Sequence, residues 1–97
     1  MAPSIGFTAG QLLRGYRQRA KLTLQAASEA CRPTMSTRTI QRIEGGKDIT
    51  HLELAILARA LGLSGEEIDC VTHAAASEAA AEALRRAEAA RAGGGAS

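Results

Sequence analysis

Aromatic side chains are almost missing from this chain: one Phe, one Tyr and no Trp. That argues against a module that stacks nucleobases on aromatic platforms. Cysteine is nearly as scarce. Cys31 and Cys70 form no CxxC pair, and His51 and His73 stand at no helical ligand spacing from either, so no metal site and no cofactor is expected. The two thiols read as small core residues, with a redox role as the alternative. Neither histidine has a nucleophile partner, and no Gly-rich phosphate loop follows a strand, so no catalytic residue and no enzyme is expected. No apolar run nears the ~18–20 residues that span a bilayer. No charged-then-apolar leader opens the chain, and a cytoplasmic protein is the expectation. Strand signals are missing too: β-branched residues are scattered, with no alternation bounded by turn residues.

Large apolar side chains are also few. Hydrophobic residues make up 45% of the 97, but 21 of them are alanine. Of the 23 larger ones, 21 lie between Ile5 and Val71, so a single modest core is expected there. The net charge of +2 hides an asymmetry. Residues 1–48 carry +5 and residues 49–97 carry −3. A basic half of this kind suits a polyanion, against the plain alternative of a solvated surface with chance asymmetry.

Helix punctuation is abundant. Thr8-Ala-Gly-Gln11, Thr50-His-Leu-Glu53 and Ser64-Gly-Glu-Glu67 read as capping boxes, and Thr23 as a plain N-cap. They predict helices over about 8–20 (Leu12, Leu13 and Tyr16 inward), 24–31 (Ala27 and Cys31 inward), 37–44 (Ile40 and Ile43 inward) and 51–61. The fourth should turn Leu54, Ala55, Leu57, Ala58 and Leu61 inward. A fifth starts after Ser64 and buries Ile68 and Val71. Arg32-Pro33-Thr34 interrupts the second, since the residue before proline is pushed out of the α region. Gly45-Gly46 and Gly62 end the third and fourth. From about His73 to Ala92 alanine takes over, eleven of twenty residues, with Leu84 the one larger apolar side chain. The expected organisation is an all-α domain over 1–71, an Ala-rich helical extension over 72–92 and a flexible tail over 93–97.

Two runs carry a more specific signal. Leu22-Thr-Leu-Gln-Ala-Ala-Ser-Glu-Ala-Cys31 followed by Ser36-Thr-Arg-Thr-Ile-Gln-Arg-Ile-Glu-Gly-Gly46 resembles the Cro/repressor-type (XRE-like) helix-turn-helix DNA-binding family. So does Thr50 to Leu63, and the resemblance covers roughly residues 8–71. It implies a compact five-helix, lambda-repressor-like domain and a sequence-specific regulator of transcription, most simply a repressor on an operator. Its partner would be double-stranded DNA, with no small-molecule ligand. In that reading the third helix lies in the major groove, braced by the second. Thr37, Arg38, Gln41 and Arg42, on the face away from Ile40 and Ile43, become the base-reading set: Arg suits guanine, Gln adenine, and Thr a thymine methyl. Thr23, Gln25, Arg32, Thr39, Lys47 and Thr50 become the phosphate-contacting set. The resemblance also implies a salt bridge between Arg17 and Glu44, bracing the first helix on the third. The turn at Arg32-Pro33-Thr34-Met35 departs from the family: it is about two residues longer and has no glycine.

The fourth helix holds more apolar surface than one face can bury. Leu52, Ile56 and Leu63 fall outside its inward stripe, to be covered by the Ala-rich C-terminal helix of the same chain or by a second subunit; with Leu84 they are the candidates for a homodimer interface. The rival reading is a protein-interaction module, or an antitoxin, that uses the same scaffold to bind a protein. In neither is a ligand-sensing domain expected.

Overall fold

A computed structural model describes residues 8–95. Its five helices are α1 (Ala9–Arg19), α2 (Leu24–Ala30), α3 (Thr37–Glu44), α4 (His51–Leu61) and α5 (Gly65–Gly95), with no strand among the described residues. The fold is all-α. Ile5 and the last two tail residues, Ala96 and Ser97, lie outside the described residues.

Local chemistry sets the starts of the helices. Thr8, Thr23, Ser36 and Thr50 are extended N-caps whose hydroxyls each accept a first-turn N–H. Gln11 and Glu53 complete reciprocal boxes on α1 and α4, and Ser64 with Glu67 does the same for α5. α3 ends where the Gly46 N–H reaches the Ile43 carbonyl and the Lys47 N–H reaches that of Arg42. Gly46 makes this possible at φ 115°, a region L-residues avoid.

The core is formed by Leu13 of α1, Ala27 of α2, Ile40 and Ile43 of α3, Leu54, Leu57 and Leu61 of α4, and Val71 of α5. Leu12, Tyr16 and Ile68 pack against it half-buried. Two expectations need correction. Ala55, expected inward, is exposed, while Leu54, Leu57, Ala58 and Leu61 of the same stripe are buried. Ile56 and Leu63, expected outside, are half-buried against the core, so among the described residues Leu52 and Leu84 are the large apolar side chains left exposed, at 67% and 61%.

Met35 is a core residue that the helical pattern did not point to. It belongs to no helix, yet it is buried beside Cys31. The turn runs Cys31–Thr34, includes a cis Arg32–Pro33 peptide, and leads Met35 back under α2. The Ser28 hydroxyl donates to the Met35 carbonyl at 2.9 Å and holds it there. The turn therefore has a packing role. α2 buries only small Ala27 along its length, and Met35, an adaptable side chain, joins the same buried cluster.

α5 is one uninterrupted helix across the change in composition near residue 72. Val71 and Ala74 are buried, but beyond Glu78 its side chains are largely exposed through Ala92. Alanine sustains a helix by propensity where no core remains to bury. No helix among the described residues is long and apolar enough to cross a membrane.

Candidate nucleic-acid interface

The site is built on α3, and its geometry begins with the spacing of two isoleucines. Ile40 and Ile43 stand three apart and are each 1% exposed, which fixes the rotation of the helix about its axis. Arg38, Gln41 and Arg42 are then forced to the outer surface, where all three are exposed. Among the described residues no carboxylate pairs with Arg38 or Arg42. Two guanidiniums and one amide thus project from a single exposed face of a short, rigid helix. Thr37, the first residue of α3, is half-buried at the edge of this face.

Two contacts fix α3 to α1. The Arg17 guanidinium donates through Nε and Nη2 to the two Glu44 oxygens, at 2.7 and 3.1 Å, and through Nη1 to the Leu22 carbonyl at 2.8 Å. The pair is well covered, its side chains 12% and 9% exposed. The hydrogen bond to Glu44 raises the Arg17 pKa above its usual value, against the opposing effect of burial. Gly10 makes the second contact. A Cβ there would lie 2.7 Å from the Glu44 carbonyl oxygen, so the start of α1 meets the end of α3 backbone to backbone.

The residues assigned to phosphate are spread around this helix and differ in how free they are. Gln25, in the first turn of α2, is exposed. Thr23 and Thr50 are exposed caps whose oxygens already accept from Ala26 and Glu53 N–H groups, leaving each hydroxyl proton to donate outward. Thr39 is half-buried and its hydroxyl shares a hydrogen bond with Ser36. Arg32 is exposed on the turn, beside Cys31 and across from Arg59 of α4. Burial pushes the Cys31 thiol up from its ordinary pKa.

Lys47, which follows the Gly45-Gly46 end of α3, has a partner: its Nζ lies 3.6 Å from Glu53 Oε2. Glu53 is held below the usual carboxylate range, first by the Thr50 backbone N–H and also by Lys47. One carboxylate thus caps α4 and steadies the lysine beside α3. The capping-box spacing marked Glu53 for the first role; nothing in the sequence marks it for the second.

No group of His, Cys, Asp and Glu that could hold a metal occurs among the described residues. No curated protein and no solved structure matches the chain. A family of sequences does: the helix-turn-helix domain, matched over residues 8–70, which takes in α1 through the first turns of α5. Well over half of the chain carries that match, and the protein belongs to the helix-turn-helix domain family.

Proposed function

We propose that this protein is a sequence-specific double-stranded DNA-binding regulator, most simply a cytoplasmic repressor that occupies its operator as a dimer. The observation that carries the reading is the outer face of α3. Arg38, Gln41 and Arg42 are exposed and the two arginines unpaired, on a helix whose roll is locked by Ile40 and Ile43. Arg and Gln are the side chains that read guanine and adenine edges by paired hydrogen bonds. With Thr37 they form the base-reading set. Thr23, Gln25, Arg32, Thr39, Lys47 and Thr50 supply phosphate contacts, which orient without specifying sequence.

The dimer rests on Leu52, an exposed leucine on the outer face of α4, with Ile56 and Leu63 half-buried nearby. Light scattering of the native chain and of Leu52→Glu tests this: a dimer that dissociates on substitution supports it, and a monomer at micromolar concentration overturns it.

Selection of bound duplexes from a random pool, followed by titration across salt, tests the function. Enrichment of one sequence and a steep loss of affinity with rising salt are expected. Salt-independent or undetectable DNA binding would favour the rival reading, in which this scaffold binds another protein.

A further inference from the structure

The sequence along α5 places Glu67, Val71, Ala74 and Glu78 at intervals of four, three and four, a single helical face. Val71 and Ala74 are its buried centre. The two carboxylates lie eleven residues apart, and Ala9 and Arg19, the ends of α1, ten. At ~1.5 Å per residue the two spans are close, about 16 and 15 Å.

The match is used at both ends of α1. At its C-terminal end Glu67 pairs with Arg19, whose guanidinium also lies over the Tyr16 ring at 5.0 Å. At its N-terminal end Glu78 Oε1 accepts the Ala9 N–H at 2.7 Å. α1 has no acidic residue in its own first turn. Thr8 caps the Gln11 N–H and leaves that of Ala9 without a partner inside the helix. Glu78 therefore supplies, from 69 residues away, the hydrogen bond and the negative charge that a helix N-terminus favours.

The grip sits next to the junction with α3. Ala9 adjoins Gly10, the residue that meets the Ile43 and Glu44 carbonyls. A cavity of about 190 Å³ lies at the same junction, lined by Gly10, Ile43, Lys47, Ile49, Ala75 and Glu78. α1 is thus held by α5 on one side and holds the end of α3 on the other.

We propose that Glu78 is a positioning residue for α3: by seating α5 on the start of α1, it sets through α1 the tilt at which α3 presents Arg38 and Gln41. The proposal rests on the DNA-binding reading above. It makes α5 a strut rather than an appendage. Whatever engages its largely exposed part beyond Glu78 then bears on DNA affinity through the seating of α5 on α1.

The test compares the native chain with Glu78→Ala and Glu78→Gln, using the duplex selected from the random pool and a scrambled duplex at one salt concentration. Amide exchange of α1 and α5 reports whether the contact is made. In Glu78→Ala, exchange should quicken in the first turn of α1. Affinity for the selected duplex should fall about two- to fivefold, the scale of a helix-terminus charge, with affinity for the scrambled duplex unchanged. Glu78→Gln keeps an acceptor but not the charge and should recover part of the loss. Unchanged exchange overturns the proposal, as does an unchanged ratio of selected to scrambled affinity despite faster exchange. A native chain that binds neither duplex overturns the DNA-binding reading itself, and is distinguished by failing before any substitution is made.

Discussion

Arg17 and Glu44 are 27 residues apart in sequence and joined by two charge-assisted hydrogen bonds, with the third arm of the guanidinium on the Leu22 carbonyl. One side chain therefore ties the last turn of α1, the residue before the α2 cap and the last residue of α3. Removing Arg17 alone leaves a largely covered carboxylate without its cation, and such stranding outweighs loss of the pair as a whole. Arg17→Ala should cost about 3 kcal/mol in urea unfolding. Arg17→Ala with Glu44→Ala should cost less than the two single changes added. Arg17→Lys should not restore stability, since a point charge cannot reproduce the fork.

Gly10 tests the backbone contact between α1 and α3. Its substituent would point at the Ile43 and Glu44 carbonyls, which belong to helix backbone and cannot rotate away. Gly10→Ala should destabilise the domain by about 1–3 kcal/mol, although alanine is the better helix former. Gly15→Ala is the control: a Cβ there meets nothing within 4 Å, and that change should stabilise. Thermal unfolding of both variants checks the contrast.

Acid should loosen the seating of α5. Arg19, and then the Ser64 N–H, hold the Glu67 carboxyl down to about 2, well below its ordinary value of 4.5. A carboxyl depressed on folding contributes stability that is present above the unfolded value and lost as pH falls through the folded one. The difference in Tm between the native chain and Glu67→Gln should thus be full at about pH 5 and shrink towards pH 2. A difference that stays constant across that range would show that the ion pair contributes nothing.

Base reading and phosphate positioning predict different failures. Arg38→Ala should cost about 1–3 kcal/mol on the selected duplex and relax preference at one base pair. Lys47→Ala should weaken all duplexes alike and lower the salt slope by about one. Titrations on matched and single-mismatch duplexes separate the two. Equal, unchanged binding by both variants would remove these residues from the interface.

The starts of the helices, the ends of α3 and α4 and most of the core were legible in the sequence because they depend on neighbours within a turn or two. Thr8 and Gln11, Thr50 and Glu53, and Ser64 and Glu67 are three apart, and a cap needs no other part of the fold. The roll of α3 followed from Ile40 and Ile43 for the same reason. Propensity carried the helix on through the change to alanine near residue 72, and Ala74 beyond it is still buried, so a change in composition was not a boundary in backbone. What only the tertiary structure decided lies across long separations. Met35 became core because the turn folds back beneath α2, which no helical period encodes. Glu67 was legible only as half of its own capping box and Glu78 not at all; the packing of α5 along α1 brought them to Arg19 and to the Ala9 N–H, 48 and 69 residues distant. Local chemistry determined which residues α3 turns outward. The hold on that helix came from contacts to Gly10 and Arg17 that exist only once the chain has closed on itself.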